Sequence, residues 1–239
     1  MARQAVILAG GLGTRLGELT KATPKSMLLI DGRPFAEYLV RNLKRQGIKK
    51  IIFSTGYLAD QIVNFFGDGS NYGVNISCIE EPEPLGTGGA LRFLAKHLDA
   101  EFLVINGDSL FDINYIKLSN LLSKLPTALV AMALLRNLYP SRYGRVICKG
   151  KLVTDFSEEG VKNSPTLING GVYAMKKKVL ELLPEDSSSL EKDLFPKIVL
   201  NSLLLGQKFD GYFIDIGVPN DFIRIQSELP KWIKKHHIL

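Results

Sequence analysis

A run of glycines followed by cations forms the first group of residues in this sequence that could do chemistry. The group comprises Gly10, Gly11, Gly13, Thr14, Arg15 and, ten positions later, Lys25. Glycines let a backbone approach a ligand closely and expose amide donors that suit phosphate oxygens. Arginine and lysine add positive charge beside those amides. The pattern predicts polyphosphate binding, and the alternative is a tight turn with solvated cations.

Two familiar phosphate loops do not fit this stretch. A dinucleotide fingerprint starting at Gly11 would need a glycine at position 16, which is leucine, and the Gly-Lys-Ser/Thr ending of the P-loop is absent. No acidic residue follows the second predicted strand either, which disfavours a nicotinamide-dependent oxidoreductase.

Two aspartates stand where apolar strands end. Asp108 follows residues 102–105 and Asn106-Gly107, and Asp215 follows residues 213–214. A carboxylate with little to neutralise it is costly at such a position, and a bound cation removes that cost. Because two carboxylates and phosphate oxygens commonly hold Mg²⁺, the sequence predicts a magnesium site here; otherwise each aspartate caps a turn or helix.

Other chemistries find no support in the residue types. The three histidines, at positions 97, 236 and 237, form neither a zinc site nor a catalytic triad. Cys78 and Cys148 have no metal-ligand spacing and are expected to be reduced, buried thiols of a cytoplasmic protein. No Gly-x-Ser-x-Gly nucleophile motif occurs.

The amino-acid composition limits the kinds of partner that the protein is expected to bind. The net charge of +6 comes from scattered basic residues without interleaved aromatics, so nucleic-acid binding is not expected. Apolar runs such as residues 129–135 are far shorter than the roughly 20 residues of a membrane span, and no room is left for a signal peptide. The 239 residues suffice for a single domain.

The elements that position these residues alternate between strand and helix in the first half of the chain. This alternation predicts the α/β class, with a doubly wound, mostly parallel sheet and helices on both faces. From about residue 139, short strands separated by turns predict a small antiparallel addition. Ligands of such a sheet bind beyond the carboxyl ends of its strands. Polar, glycine-containing breaks fall at these ends, at residues 10–15, 80–89, 106–108, 169–171 and 215–217.

These motifs together resemble the nucleotidyltransferases that activate sugar 1-phosphates. The resemblance rests on residues 8–16, Pro24-Lys25, residues 84–90 and residues 106–108, in the family's order, and it extends over the whole chain. The heptose 1-phosphate guanylyltransferases, which make GDP-heptose, are the most similar group. The resemblance implies a Rossmann-like, GT-A-like domain over residues 1–239. Its nucleotide-binding half would span about 1–135 and its sugar-binding half about 136–239.

The resemblance also implies roles for individual residues. Arg15, Lys25 and Asp108 would be catalytic, and Asp108 and Asp215 would hold Mg²⁺. The nucleotide would contact Leu8, Ala9, Gly10, Gly11, Gly13, Thr14, Arg15, Glu80, Glu81, Pro84, Gly86, Thr87, Asn106 and Gly107. The sugar would contact Gly144, Glu158, Asn169, Gly170 and Gly171.

Two positions depart from the family pattern. Ser26 follows Lys25 where the family usually has proline, which affects local rigidity. Glu159 follows Glu158 where many relatives have a lysine that touches the sugar phosphate, and Lys162 is a nearby substitute.

The identity of the nucleotide base can be predicted from the hydrogen-bond donors and acceptors that each base presents. Guanine presents N1–H and N2–H₂ side by side, which suits a carboxylate, whereas uracil and thymine present mixed edges that suit glutamine. Glu81 stands where relatives place the side chain that reads the base, with Glu80 as the alternative. GTP is therefore favoured, and a related uridylyltransferase group keeps UTP open.

The expected partners are an NTP and a sugar 1-phosphate, with no nucleic acid or membrane, and Trp232 and the C-terminal helix could form a homodimer contact. Alternatives are a mannose-1-phosphate guanylyltransferase or an N-acetylmuramic acid 1-phosphate uridylyltransferase. A catalytically idle regulatory subunit is a further alternative. It is disfavoured because Arg15, Lys25, Asp108 and Asp215 are all present.

Overall fold

The computed structural model describes residues 2–137, 143–158 and 166–236. The strands within these residues are β1 (Gln4–Leu8), β2 (Leu29–Ile30), β3 (Arg33–Pro34), β4 (Lys50–Thr55), β5 (Asn75–Glu80), β6 (Glu101–Asn106), β7 (Ser109–Asp112), β8 (Val130–Asn137), β9 (Arg145–Lys149), β10 (Leu152–Ser157), β11 (Thr166–Lys176), β12 (Leu204–Lys208) and β13 (Tyr212–Asp215). The α-helices are α1 (Phe35–Arg45), α2 (Ala59–Phe66), α3 (Gly86–Phe93), α4 (Tyr115–Lys124), α5 (Phe195–Leu200) and α6 (Pro219–His236).

The chain forms two compact units. One, here named the β1 unit, comprises residues 3–84, 105–112 and the described residues from 213 onward. The other, the β8 unit, comprises residue 2, residues 85–104 and the described residues of 113–212.

The β1 unit is built on three adjacent parallel strands in the order β5, β4, β1. Their register pairs Leu8 with Ser54 and Ser54 with Ile79, so the three strands end at the same level. The apolar residues of β1 and β4 are buried apart from Leu8, which is half-buried at the end of β1, as expected for continuous hydrophobic runs in central parallel strands. The loops that follow these strands therefore converge at one edge.

A two-residue hairpin joins β2 to β3 in the same unit. Asp31 and Gly32 both have positive φ, at 51° and 73°, as a type I′ turn demands. The Asp-Gly pair is the sequence signal for this turn, but no strand was predicted here. The hairpin is tied to α1 because the Tyr38 hydroxyl donates to the Ile30 carbonyl over 2.7 Å.

The β8 unit carries the antiparallel part of the fold. Its strands follow the order β6, β11, β8, β12, β10, β9. Because β9 also pairs with β11, the last five strands form a closed ring of hydrogen-bonded pairs. Only the β8–β12 pair among the registers of these five is parallel in the described residues. The α/β class with an antiparallel addition is confirmed, but the antiparallel pairing already includes β8, before residue 139 where the addition was expected to begin.

The Ser188-x-x-Glu191 pattern predicts a capping box and a helix over residues 190–200, but the structure interrupts this helix. Leu190–Leu194 form a π-helical turn, and the α-helix starts only at Phe195, directly before Pro196. The predicted capping box, Ser188 with Glu191, is wrong by one residue at its start. Ser189 is the cap, accepting the amides of Glu191 and Lys192, and its own amide donates to Asp193. In the described part of the chain, no helix is long and apolar enough to cross a membrane.

Candidate functional site

The turn after β6 lies against the end of β1. The Gly107 amide donates to the Leu8 carbonyl over 2.9 Å. A Cβ at position 107 would lie 2.4 Å from that oxygen, so this approach requires glycine. The preceding residue, Asn106, has a buried side-chain oxygen without a hydrogen-bond partner in the described residues. The turn therefore holds Asp108 beside the end of β1 and leaves one buried acceptor unsatisfied.

Lys25 and Asp108 form an ion pair, through Nζ and Oδ2. Their side chains are only 12% and 28% exposed, so the pair is largely shielded from solvent. The expectation that little neutralises Asp108 is therefore wrong. The error arose because the two residues lie 83 positions apart and nothing local in the sequence links them.

The segment that carries Lys25 is braced from α2 and the loop before it. The Tyr57 hydroxyl donates to the Lys21 carbonyl over 2.6 Å, and the Gln61 amide donates to the Ala22 carbonyl over 2.8 Å. Lys25 itself begins a short 3₁₀ turn, Lys25–Met27, after Pro24. Tyr57 and Gln61 thus fix the backbone that leads to Lys25. This support also helps to position the Lys25 ammonium group.

Asp215 lies on the strand next to Asp108. The Ile216 amide donates to the backbone carbonyl of Asp108 over 2.9 Å, so the two aspartates belong to hydrogen-bonded neighbouring segments. The Asp215 carboxylate accepts the Gly217 amide over 2.7 Å through Oδ1. Asp215 therefore also caps its own turn, which was the alternative role. The described residues contain no cluster of three or more His, Cys, Asp or Glu that could hold a metal ion.

In residues 10–15, here named the glycine loop, the backbone conformation requires glycine at position 13. Gly13 has φ of +65°, and a Cβ there would lie 2.9 Å from the Thr20 methyl group. The Thr20 hydroxyl donates to the Gly13 carbonyl over 3.0 Å and closes the loop. Gly11, Thr14 and Arg15 are exposed. The Arg15 side chain has no hydrogen bond or ion pair with the described residues, so its guanidinium is available to an anion.

The structure distinguishes the two candidate base-reading glutamates. Glu80 is exposed, whereas Glu81 is half-buried and accepts a hydrogen bond from the Ser54 hydroxyl over 2.9 Å. The Glu81 carboxylate lies against Gly10, where a Cβ would approach Oε1 to 2.6 Å. Sequence reasoning did not single out Ser54. The available signal was the pair Ser54-Thr55 at the end of an apolar run, directly before Gly56.

Gly86 and Thr87 belong to the β8 unit, whereas Pro84 is the last residue of the first β1-unit segment. Gly86, at the start of α3, faces the Ser188 carbonyl, which a Cβ would approach to 2.5 Å. The Thr87 hydroxyl accepts the Leu190 amide over 2.8 Å and donates to the Glu191 carboxylate over 3.1 Å. This segment thus packs against residues 188–191, an association that sequence reasoning missed.

The predicted sugar-binding residues also fall in the β8 unit. Asn169 donates to the Tyr173 hydroxyl over 2.7 Å and accepts the Gly171 amide over 3.0 Å. The pairing of β11 with β8 is irregular between residues 169 and 173, and Gly171 has φ of +68°. Asn169, Gly170 and Gly171 therefore form a bulge fixed by the asparagine side chain.

The other two sugar candidates lie on neighbouring strand ends. Gly144 lies close to the Ser157 carbonyl, which a Cβ would approach to 2.8 Å. Glu158 is exposed, and its Oε2 lies 3.9 Å from Lys192 Nζ. The predictions about Glu159 and Lys162 lie outside the described residues.

The thiols are unsuited to nucleophilic chemistry near neutral pH. Burial raises the pKa of Cys78 to about 11 and also raises the pKa of Cys148. Because their pKa is raised, both thiols are protonated at pH 7. The thiolate, which is the reactive form, is therefore scarce. Both cysteines are free, as expected, but both are half-buried, so the expectation of buried thiols is wrong in degree.

Comparison with known proteins identifies similar chains of almost the same length. The family model described as Nucleotidyl transferase matches residues 4–231. The chain is 37% identical to the D-glycero-alpha-D-manno-heptose 1-phosphate guanylyltransferase of Aneurinibacillus thermoaerophilus, over 96% of this chain and 100% of the relative. The Campylobacter jejuni protein of the same name is 39% identical, over 92% of this chain and 96% of the relative.

A solved structure agrees with these relatives. HddC from Yersinia pseudotuberculosis, complexed with GMP-PN, is 34% identical, with a TM-score of 0.82. The match covers 95% of this chain and 99% of HddC.

Proposed function

Because the chain belongs to the nucleotidyl transferase family, we propose that it is a guanylyltransferase that makes GDP-heptose from GTP and heptose 1-phosphate and releases pyrophosphate. The observation that carries the proposal is the shielded Lys25–Asp108 ion pair beside the glycine loop. It supplies a fixed cation and a carboxylate in the same unit as the loop that would take the triphosphate. Nearly full-length relatives bearing the heptose guanylyltransferase name support the choice of substrates.

We assign the nucleotide to the β1 unit. The backbone of residues 8–11 would hold the base and ribose, and Gly13, Thr14 and Arg15 would surround the β- and γ-phosphates. Lys25 would contact the α-phosphate and the sugar phosphate. The exposure of Arg15 supports this assignment, because a long cation without a protein partner can pair with phosphate oxygens.

The donor set fits a divalent cation held partly by substrate. Asp108 and Asp215 offer carboxylates from hydrogen-bonded neighbouring segments, and Asn106 offers a buried, unsatisfied amide oxygen. Such a set resembles the Mg²⁺ sites of phosphate-handling enzymes, which use one or two carboxylates and complete their coordination with phosphates and water. Bound Mg²⁺ would neutralise charge on the triphosphate oxygens.

The reaction needs positioning and charge neutralisation more than proton transfer. A sugar phosphate oxygen, already anionic, attacks the α-phosphorus in line; the new P–O bond forms as the bond to pyrophosphate breaks and pyrophosphate leaves with the electron pair. Lys25 and Arg15 neutralise the charge that develops on the transferring and leaving groups. No covalent enzyme intermediate and no strong general base are required.

Support for guanine comes from Glu81 and from a relative. A carboxylate can accept from both N1–H and N2–H₂ of guanine, and the half-buried Glu81 is the better placed of the two candidate glutamates. The structural relative HddC is complexed with GMP-PN. For the sugar, we assign Gly144, Glu158 and the bulge at residues 169–171 as contacts.

A matrix of pyrophosphate-release assays tests the proposal. Each of GTP, ATP, CTP, UTP and dTTP is combined with Mg²⁺ and with the 1-phosphates of heptose, mannose, glucose and N-acetylmuramic acid. The proposal expects the highest kcat/KM for GTP with heptose 1-phosphate. A higher value with mannose 1-phosphate would reassign the sugar, a higher value with UTP would reassign the base, and no release with any pair would favour a regulatory subunit.

A further inference from the structure

The Ser54 hydroxyl lies in the β1 unit at a place where the mechanism above gives it no role. Ser54 is the penultimate residue of β4, and it is completely buried. Its Oγ donates to Oε1 of Glu81 over 2.9 Å. The two residues are 27 positions apart, so the contact depends on the pairing of β4 with β5 rather than on local sequence.

The Glu81 carboxylate is also confined by the backbone at the end of β1. A Cβ on Gly10 would lie 2.6 Å from Oε1, so the carboxylate occupies space that any other residue at position 10 would fill. Gly10 is itself held against the next loop, since a Cβ on Gly56 would lie 3.0 Å from the Gly10 carbonyl. Ser54 at the end of β4 and Gly10 after β1 thus confine Oε1 of the carboxylate.

We propose that Ser54 is a positioning residue for base selection, fixing the Glu81 carboxylate so that it recognises the paired donors of guanine. This inference rests on the proposed use of GTP. A glutamate has three rotatable side-chain bonds, and holding it in one orientation loses conformational entropy. The buried hydroxyl supplies that order before the nucleotide arrives, which is how a supporting contact sharpens selectivity.

Inosine triphosphate is the probe, because it lacks only the 2-amino group of GTP. Discrimination is measured as the ratio of kcat/KM for GTP to that for ITP, in wild type and in Ser54→Ala. If Ser54 acts through Glu81, the ratio falls about fivefold to tenfold, the equivalent of one hydrogen bond. KM for GTP should carry most of this change and kcat should stay within about twofold, because the contact orients the base rather than the reacting phosphates.

The neighbouring Thr55 offers a matched control. It is also completely buried at the end of β4, but its hydroxyl has no hydrogen-bond partner in the described residues. Thr55→Val removes that hydroxyl with little change in shape, and should leave the GTP-to-ITP ratio at the wild-type value. An equal loss of discrimination in both variants would mean that the strand end responds to any lost hydroxyl, which overturns the inference.

A double-mutant cycle tests whether Ser54 works through the carboxylate. In a Glu81→Ala background, Ser54→Ala should change the ratio no further, since the side chain it positions has gone. An unchanged ratio in the Ser54→Ala single variant, or an additive loss in the double variant, contradicts the inference. If wild type itself does not prefer GTP to ITP and UTP, the proposed function fails in its choice of base, independently of Ser54.

Discussion

Replacing Lys25 with methionine removes one charge from the Lys25–Asp108 pair and keeps most of the side-chain volume. Opposite charges about 4 Å apart attract by about 4 kcal/mol at an effective dielectric constant near 20. Removing the lysine recovers only the desolvation cost of that side chain, 12% exposed, and leaves the 28% exposed Asp108 carboxylate without its partner, so part of this attraction is lost. We therefore expect Lys25→Met to lower the free energy of unfolding by about 1 kcal/mol, or roughly 2–4 °C in melting temperature for a chain of this size.

The activity of Lys25→Met should fall much further than its stability. Losing a cation that neutralises charge in the transition state lowers kcat by about 100-fold or more, equivalent to about 2.7 kcal/mol. Urea unfolding measures the stability, and pyrophosphate release with GTP and heptose 1-phosphate measures the turnover. The two effects are separable because the folded fraction stays near unity after a loss of 1 kcal/mol.

The double variant Lys25→Met/Asp108→Asn separates the structural role of the pair from its role in the reaction. With both charges gone, no buried carboxylate is left without a partner, so stability should return to within about 0.5 kcal/mol of wild type. Turnover should remain at or below about 1% of wild type. Recovery of turnover together with stability would show that the pair only supports the fold. Strictly additive destabilisation would show that the two charges are not coupled.

Three further predictions follow from single positions. Arg15→Ala should lower turnover by about 100-fold without changing the melting temperature, because the Arg15 side chain is exposed and has no hydrogen bond or ion pair with the described residues; a matching loss of stability would contradict this. Gly107→Ala should destabilise by more than about 2 kcal/mol in urea unfolding, because its Cβ would meet a carbonyl, whereas Gly11→Ala, with nothing within 4 Å, should stay within about 0.5 kcal/mol. In a Cys148→Ser background, Cys78 should react slowly with a disulfide reagent at pH 8 and faster as pH rises toward its raised pKa of about 11; fast reaction of folded protein at pH 8 would refute the burial argument.

Regular elements with strong sequence patterns could be predicted to the residue. Apolar runs predict strands over residues 50–55 and 75–80, and an amphipathic run predicts a helix over residues 59–66. These bounds agree with β4, β5 and α2 because turn residues flank each run. Short elements were missed, among them the β2–β3 hairpin and the strand β12. A strand of two residues has no periodicity to detect, and only the Asp31-Gly32 pair marked the turn.

The candidate site was predictable in its composition but not in its contacts. Glycine and polar residues at strand ends predict that the loops after β1 and β6 meet, and the structure places Gly107 against Leu8 and Ala9. The pairing of Asp108 with Lys25 and the hydrogen bond between Thr87 and Glu191, 104 positions apart, depend on tertiary packing. No local pattern encodes such a pair, because its geometry exists only after the strands are arranged.

Whether the protein makes GDP-heptose is measured most directly by identifying the nucleoside diphosphate sugar that the purified protein forms and by following its rate of formation. Equal concentrations of GTP, UTP and dTTP compete for D-glycero-α-D-manno-heptose 1-phosphate in the presence of Mg²⁺, and the products are separated and identified by mass. We expect GDP-heptose as the main product. It should exceed UDP-heptose and dTDP-heptose by at least about tenfold, which corresponds to about 1.4 kcal/mol of discrimination. Formation of UDP-heptose or dTDP-heptose as the main product, or no nucleotide sugar at all, would contradict it.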